Sequence, residues 1–398
     1  MGSFSVMAET NNTTILKQIS YYSFYLAVVI EVLIVIVDKS AYTNPIEGRL
    51  FQITFLLFTI KAALTKYSWR EYLTIVLFLL LGAVSYFITG RNEIIRVVMF
   101  MAACKDIDMQ KCLKLVFYMT LTGCTVIILL SVIGIYGAIS LQSDFGRGSM
   151  ETRYTLGLGH PNALQCMVWA LTTLGLYLYN AKMRWIHYIA VLLVNIFFYM
   201  LTGSKTAFIM SVYAILAFYA VAVIKKKRII RLFSIGNIGI YVGSIAVSIV
   251  AAKEAMCIWD YYVEGIYVAK VKYYIILDRL LTGRMGSLIE TKRHEGTMQT
   301  WSLFASSENT RYFDMGWVRL YYWYGIIPAS IAIIVLAGFL CWFYKKGKWR
   351  EIILIAVFSL YTVFEAHAVS VYLARHYVLF VIGMYWYCFM RTKSTQKA

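Results

Sequence analysis

Residues 205–251 read KTAFIMSVYAILAFYAVAVIKKKRIIRLFSIGNIGIYVGSIAVSIVA, two apolar runs joined by the basic turn 225–228. Each run approaches the roughly 20 apolar residues that a bilayer core of about 30 Å requires. A segment in hydrocarbon must satisfy its own backbone hydrogen bonds, so both runs are predicted to be helices. Because Lys and Arg concentrate in cytoplasmic turns, the sequence predicts that this turn faces the cytoplasm.

The same pattern recurs along the chain, whose 398 residues are 61% hydrophobic, against about 45–50% for a soluble globular protein. We predict an all-α integral membrane protein in which residues 1–398 form a single polytopic membrane domain. Neither a second soluble domain nor a strong internal repeat is visible. About twelve transmembrane helices are expected, at residues 19–37, 50–66, 71–89, 92–104, 115–138, 161–180, 186–202, 205–224, 231–251, 314–343, 351–366 and 374–390.

The distribution of basic residues orients these crossings. With a cytoplasmic N-terminus, 20 Lys and Arg residues fall in inner segments and 8 in the short outer ones, which agrees with the positive-inside rule. Both termini are therefore predicted to be cytoplasmic, in a multi-pass protein of the cytoplasmic membrane. Contact with anionic membrane lipid explains most of the net charge of +18, so nucleic acid is not an expected partner.

One long segment, 252–312, is the large extracytoplasmic loop of this topology. Its 61 residues carry eight Lys or Arg and seven Asp or Glu, and loops of this length do not obey the charge rule. The segment is rich in Tyr, Trp and Ile, a composition that argues against disorder. We expect two helices on the outer membrane surface, broken at Thr282-Gly283.

Three crossings that start at the outer face predict an anion site. The sixth follows His160, with Asn162 in its first turn, the eighth begins at Lys205, and the tenth begins near Asp314. A helix N-terminus offers free amide donors and a partial positive charge, which favour phosphate. Arg153 and Lys205 add full positive charges, so Arg153, His160, Asn162 and Lys205 are candidate substrate-binding residues. The alternative is that these cations only extend toward lipid headgroups.

Charged residues inside the predicted crossings point to a polar interior. An ionised side chain facing lipid costs roughly 2.5–3.5 kcal/mol on insertion scales, so it tends to face a partner or a cavity. Glu31 and Arg96 are predicted to pair, either as a structural contact or as part of a binding site. Arg319 is expected to face a basic, tyrosine-lined cavity that opens outward, and Lys61 is expected to extend toward headgroups.

The long loop supplies a candidate general base. If 285–301 is helical, Glu290 and His294 are four residues apart and share a face. A carboxylate beside an imidazole raises the basicity of the imidazole, although a solvated helix face explains the same spacing. Asp314 is a candidate N-cap of the tenth crossing. No P-loop, GxGxxG, HExxH or Cys/His metal motif occurs in the sequence, and we expect neither a cofactor nor a metal.

The order of these features resembles the O-antigen polymerase and ligase-like superfamily, whose Gram-positive members polymerise capsule or exopolysaccharide repeat units. The resemblance covers about 150–330 and rests on short motifs in their order and topology. They are Arg153 with GHPN at 159–162, LTGSK at 201–205, LTGR at 281–284 and FDMGWVRLYYWYGII at 313–327. Lys205 departs from the pattern, since relatives commonly have Arg at that position.

This resemblance implies a membrane glycosyltransferase (GT-C-like) architecture with one large extracytoplasmic loop. The expected reaction polymerises oligosaccharide repeat units on undecaprenyl diphosphate at the outer face, with the lipid diphosphate as leaving group. Donor and acceptor are then lipid-linked glycans, and a chain-length regulator protein is a further candidate partner. Arg153, Arg284 and Lys205 would stabilise the diphosphate. His294 is the preferred base, with His160 and Asp314 as alternatives.

Three other functions share parts of the pattern. A ligase that transfers finished glycan to another acceptor has the same motifs and is not separated from a polymerase by sequence. A flippase for the same lipid-linked oligosaccharide also needs a basic cavity, but it usually shows two similar halves and needs little outer loop. A plain transporter is the third alternative. The asymmetric 61-residue loop favours an enzyme.

The topology makes a direct prediction for a variant in which the seven native cysteines are replaced. An impermeant thiol reagent added to intact cells should label Glu290→Cys and should not label Lys226→Cys, because only the former lies outside. Labelling at 226 and not at 290 would place the predicted site on the wrong side of the membrane.

Overall fold

The computed structural model describes residues 2–145, 149–262, 271–290, 294–367 and 369–392. Within these ranges the chain forms fifteen α-helices and one β-hairpin. The helices are α1 (Gly2–Lys39), α2 (Glu47–Ala63), α3 (Trp69–Thr89), α4 (Glu93–Ala103), α5 (Met109–Val132), α6 (Pro161–Tyr179), α7 (Trp185–Thr202), α8 (Lys205–Val223), α9 (Lys227–Tyr262), α10 (Val271–Leu280), α11 (Arg284–Ser287), α12 (Gly316–Tyr324), α13 (Ile326–Lys346), α14 (Trp349–Tyr361) and α15 (Tyr377–Thr392). The strands are β1 (Ser140–Asp144) and β2 (Met150–Tyr154).

Seven helical segments in the described ranges are long and apolar enough to cross a membrane, as the composition predicts. They are Ile15–Lys39, Trp69–Thr89, Met109–Val132, Trp185–Thr202, Lys205–Val223, Lys227–Trp259 and Ile326–Lys346. Each corresponds to one of the predicted crossings. The protein is therefore a helical, membrane-embedded chain.

Helices also occupy the other five predicted crossings, but they do not all reach membrane length. At about 1.5 Å per residue, the 11 residues of α4 span about 16 Å, half of a bilayer core. The 13 residues of α14 span about 20 Å. The tenth predicted crossing is divided into α12 and α13 at Gly325. The count of twelve crossings stays a prediction.

A β-hairpin lies between α5 and α6, where the sequence predicted no strand. Strands β1 and β2 pair antiparallel, with Leu141 opposite Arg153 and Ser143 opposite Glu151. Short alternating segments are a weak signal beside apolar runs of helical length, which is why the sequence did not reveal the hairpin. The hairpin carries Arg153 in front of α6.

The chain divides into two compact units. The first comprises residues 1–78, 95–215 and 372–398, and the second comprises 79–94 and 216–371. In the first unit α1 packs on α2 and α5, α6 packs between α5 and α7, and α15 packs on α5. In the second unit α9 packs on α14, α12 and α13.

A buried ion pair ties α1 to α4 in the first unit, as the sequence predicts. The Arg96 Nη2 lies 3.1 Å from the Glu31 Oε1, and both side chains are buried. Thr54 donates to the same carboxylate oxygen at 2.6 Å, and the Arg96 guanidinium lies 3.8 Å from the centroid of the Phe51 ring. The prediction that Glu31 and Arg96 pair is confirmed.

Side chains donate hydrogen bonds to carbonyls at the C-terminal end of the short helix α4. Tyr67 and Tyr387 donate to the Ala102 carbonyl at 2.9 and 3.2 Å. Lys61 donates to the Lys105 carbonyl at 2.9 Å, and the Lys105 ammonium lies 2.6 Å from the Glu71 carboxylate. The expectation that Lys61 extends toward headgroups is wrong, because this ammonium is buried and satisfies a carbonyl just beyond the helix end.

The second unit changes the expected boundaries of the long loop. Helix α9 continues to Tyr262, so the first residues assigned to the loop belong to a helix of membrane length. The break predicted at Thr282-Gly283 is confirmed, since both residues have positive φ and separate α10 from α11. The predicted helix over 285–301 is wrong. In its described part, the chain has the single turn α11 and a 3-10 turn at Met298–Thr300.

The helix break between α12 and α13 is stabilised by backbone hydrogen bonds to residues 302–303, which precede α12. The amides of Ile326 and Ile327 donate to the carbonyls of Ser302 and Leu303 at 2.8 and 3.0 Å. A Cβ at Gly325, where φ is +93°, would lie 2.5 Å from the Phe304 Cα, so only glycine permits this approach. The exposed donors of the broken helix are thereby satisfied within the protein.

We expect Arg96→Met to destabilise the protein by about 3–5 kcal/mol, because it leaves the buried Glu31 carboxylate without its cation. The free energy of unfolding in a reversible detergent-denaturation titration measures this effect. Lys111→Met is the matched control, since its pair with Asp108 is solvent-exposed and should have little effect. Equal losses in the two variants would contradict the prediction.

Candidate functional site

In the first unit, the predicted anion ligand Arg153 already has a carboxylate partner. Its side chain is buried, and its Nε and Nη2 donate to the Glu151 Oε2 at 3.0 and 2.7 Å. The two residues are neighbours on one face of β2, because side chains two apart in a strand point to the same side. Both bonds end on one carboxylate oxygen, and the shorter has the length of a strong charge-assisted hydrogen bond, so Arg153 is largely committed to Glu151.

The structure brings two of the predicted motifs together around Arg153. Its guanidinium lies 4.0 Å from the centroid of the Phe145 ring, and the His160 ring lies 5.8 Å from the same ring. A Cβ at Gly203, in the LTGSK motif, would lie 3.2 Å from the Arg153 Nε. Arg153, His160 and the turn before α8 therefore form one cluster in the first unit.

His160 acts as the N-cap of α6. Its Nδ1 accepts a hydrogen bond from the Asn162 amide at 3.1 Å. Partial desolvation, with a smaller contribution from the charge of Arg153, lowers the pKa of His160 below its ordinary value. The imidazole is therefore neutral at neutral pH, with its remaining proton on Nε2. Asn162 and Lys205 are both exposed, in the first turns of α6 and α8.

Arg96, also predicted to bind substrate, belongs to the first unit. It is buried in the pair with Glu31 described above. Its contacts there are structural, and the substrate-binding role stays a prediction.

In the second unit, Arg284 and Asp314 come together with Glu365. The Arg284 Nη2 lies 3.4 Å from the Asp314 Oδ2 and 3.4 Å from the Glu365 Oε1. Its Nε donates to the Phe364 carbonyl at 3.3 Å. The LTGR and FDMGW motifs thus meet at one side-chain group, which we name the Arg284 cluster (Arg284, Asp314 and Glu365).

Asp314 does not cap the helix that follows it, so that expectation is wrong. The N-cap of α12 is Met315, which has no capping side chain, and the Gly316 amide donates to the Thr362 carbonyl at 2.8 Å. The Asp314 side chain is 45% exposed while paired with Arg284. Its carboxylate is thus available to a molecule from outside.

His294 lacks the partner that the sequence predicted. The Glu290 carboxylate pairs with Arg311, with Oε2 3.4 Å from Nη2. His294 has a φ of +48°, and its Nδ1 lies 3.3 Å from the Ile289 carbonyl. Its ring packs on Trp259 at 4.8 Å. The proposed support of His294 by Glu290 is therefore wrong.

Arg319 is fully enclosed in the second unit. Its Nη2 donates to the carbonyls of Ala366 and Val369 at 3.0 and 2.6 Å. Its guanidinium also lies 3.9 and 4.5 Å from the ring centroids of Tyr312 and Trp323. These contacts hold the chain that follows α14 against α12, so they fix the backbone beside Glu365. Direct contact of Arg319 with a substrate stays a prediction.

Sequence reasoning did not assign Glu151 or Glu365 as the partner of a predicted arginine, and the two pairs differ in how far the sequence could have revealed them. Glu151 stands two residues before Arg153, so recognising the strand would have revealed the pair. Glu365 is 81 residues from Arg284, and no local spacing connects them. The predicted residues divide between the units: Arg96, Arg153, His160, Asn162 and Lys205 in the first, and Arg284, His294, Asp314 and Arg319 in the second. That both groups bind one diphosphate stays a prediction.

Comparison of the chain with protein-family models, with curated protein sequences and with solved structures finds no match.

We expect Arg153→Gln to raise the pKa of His160, because it removes a nearby positive charge that disfavours the imidazolium. The pKa should stay below the ordinary value of about 6.5, since desolvation, the larger cause, remains. Titration of the imidazole Cε1 resonance by NMR measures the change. Arg279→Gln, an exposed cation in the other unit, is the control. An unchanged or lower pKa in Arg153→Gln would contradict the assignment.

Proposed function

We propose that this protein is a membrane glycosyltransferase that polymerises undecaprenyl-diphosphate-linked oligosaccharide repeat units at the outer face of the cytoplasmic membrane. The observation that carries the proposal is the Arg284 cluster, where two motifs from distant parts of the chain place a guanidinium between two carboxylates. A transfer of this kind needs a base for the attacking hydroxyl and a cation for the departing diphosphate. The cluster offers both types of group within one unit.

In the proposed reaction Asp314 is the general base. A hydroxyl oxygen of the acceptor glycan bonds to the anomeric carbon of the donor as the bond from that carbon to the diphosphate oxygen breaks. The hydroxyl proton passes to the Asp314 carboxylate, and the electron pair of the broken bond leaves with the lipid diphosphate. The exposure of Asp314, at 45%, suits a group that must meet an incoming hydroxyl.

Arg284 is the proposed contact for the diphosphate. Its two carboxylate contacts, at 3.4 Å, are longer than the roughly 2.7–2.9 Å of strong charge-assisted pairs. Replacing one of these contacts by a contact with a phosphate oxygen therefore costs less free energy than the same replacement at Arg153. The bond from Arg153 to Glu151 is 2.7 Å long. As charge develops on the leaving group, the guanidinium gains an interaction that the ground state lacks.

Asp314 replaces His294 as the preferred base on three grounds. Asp314 lies next to Arg284 and is not used as a helix cap, whereas the His294 ring packs against Trp259 without the Glu290 contact. Arg153, His160, Asn162 and Lys205 remain proposed contacts for the lipid-linked glycan. A chain-length regulator remains a proposed partner.

We expect Asp314→Asn to reduce polymer formation by about 100-fold or more, the range of general-base catalysis. Arg284→Ala should reduce it by about 10–150-fold, the loss of one charge-assisted contact, and Arg284→Lys should recover only part. His294→Gln should keep most of the activity. The measurement is the length distribution and amount of polymer in cells that carry each variant at matched protein level.

Two substitutions serve as matched controls. Glu308→Gln removes an exposed carboxylate, and Arg279→Ala removes an exposed cation. Both should leave the polymer unchanged. Full activity of Asp314→Asn together with loss of activity in His294→Gln would assign the role of general base to His294. If the cells transfer finished glycan to a second acceptor and form no ladder of repeat units, the protein is a ligase and not a polymerase.

A further inference from the structure

A polar cavity of about 380 Å³ lies at the C-terminal end of α1 in the first unit. Its walls are Asp38, residues 40–44, Glu47, Gly159 and Tyr372. The volume is at the lower end of the roughly 300–1,000 Å³ typical of small-molecule sites. Apart from Ala41 and Gly159, every residue of the wall carries a polar side chain, whereas most such sites are predominantly apolar. The lining therefore favours a small ligand with many polar groups.

One phenol hydroxyl lies between two carboxylates in this cavity. The Tyr372 hydroxyl lies 2.6 Å from the Asp38 Oδ1 and 3.0 Å from the Glu47 Oε1. A phenol has one hydrogen, so it cannot give a full hydrogen bond to both carboxylates. Burial, with a further effect of the two carboxylates, raises the pKa of Tyr372, so the hydroxyl remains protonated. Because the shorter contact of Tyr372 is with Asp38, a ligand that brings a further O–H donor would satisfy the Glu47 carboxylate.

The local charge argues against a metal cation. The Asp38 Oδ2 lies 2.9 Å from the Lys39 Nζ and 3.8 Å from the Arg375 Nη1. Two cations therefore accompany the two carboxylates, and the cavity has no excess negative charge to attract a divalent ion. Neutral hydroxyl donors fit this balance better than a metal.

The cavity wall is fixed by backbone contacts. The Gly159 amide donates to the Lys39 carbonyl at 3.0 Å, and the Ala41 amide donates to the Gly157 carbonyl at 3.2 Å. A Cβ at Gly159 would lie 2.9 Å from the Ser40 carbonyl oxygen, so this wall depends on glycine. The Ser40 hydroxyl contacts the Tyr136 hydroxyl at 2.8 Å. Such a wall is formed before a ligand arrives, which reduces the entropy cost of binding.

We propose that this cavity binds a saccharide unit, a hydroxyl group of which donates to the Glu47 carboxylate. The half-exposed ring of Tyr42, part of the wall, offers an apolar face to the pyranose ring. The proposal stands without the transfer reaction, because it concerns binding at a separate group of residues in the first unit. It assigns a role to Asp38, Glu47 and Tyr372, which the reaction does not use.

The test is saturation-transfer NMR on the purified full-length protein in a detergent without sugar headgroups. The probes are glucose, galactose and N-acetylglucosamine, each titrated in the absence of any lipid-linked substrate. At least one should show saturation transfer, and Glu47→Gln and Tyr372→Phe should each weaken its binding by about tenfold or more. Glu308→Gln, with an exposed carboxylate in the second unit, should bind like the unsubstituted protein. Free sugars bind without turnover, so this result is independent of polymer formation.

Two results would overturn the saccharide assignment. One is the absence of saturation transfer from all three sugars, or equal transfer in the unsubstituted protein and both variants. The other is calorimetric binding of Ca²⁺ that is lost in Glu47→Gln while no sugar binds, which would make the cavity a cation site. Thermal unfolding of each variant in the same detergent distinguishes loss of binding from loss of the folded protein.

Discussion

Every backbone amide and carbonyl in a membrane-embedded chain needs a partner within the protein, because hydrocarbon offers none. Continuous helices meet this requirement along their length, so the informative places are the helix ends and breaks. At the end of α4, Tyr67, Tyr387 and Lys61 supply the donors. Between α12 and α13, the carbonyls of Ser302 and Leu303 supply the acceptors. Helices that are too short to cross a bilayer are thereby stable inside the protein.

The same requirement governs the charged side chains. Glu31 with Arg96 and Glu71 with Lys105 are buried ion pairs, and Arg319 donates to two backbone carbonyls. An unpaired charge in such a place would cost several kcal/mol or more. A basic residue in an apolar sequence is thus often a structural element, and its charge alone does not identify an anion site.

This distinction separates the two arginines that the sequence treats alike. Arg153 donates two hydrogen bonds to one oxygen of Glu151, whereas Arg284 makes longer contacts with two partly exposed carboxylates. Only the second arrangement leaves both a guanidinium and a carboxylate able to change partners. The proposed chemistry follows from that difference in contact length and exposure.

Features that depend on neighbouring residues could be predicted from the sequence alone. Apolar runs of sufficient length specified the membrane helices, and the Thr282-Gly283 break followed from Gly283, a residue that tolerates positive φ. The pairing of Glu31 with Arg96 was also predictable, because few partners exist for a charge inside an apolar segment. The contacts of Arg284 with Asp314 and Glu365 depend on the tertiary fold. The same holds for Glu290, which pairs with Arg311 instead of His294. These contacts join residues tens of positions apart, and their geometry depends on how helices pack, which no local pattern in the sequence records.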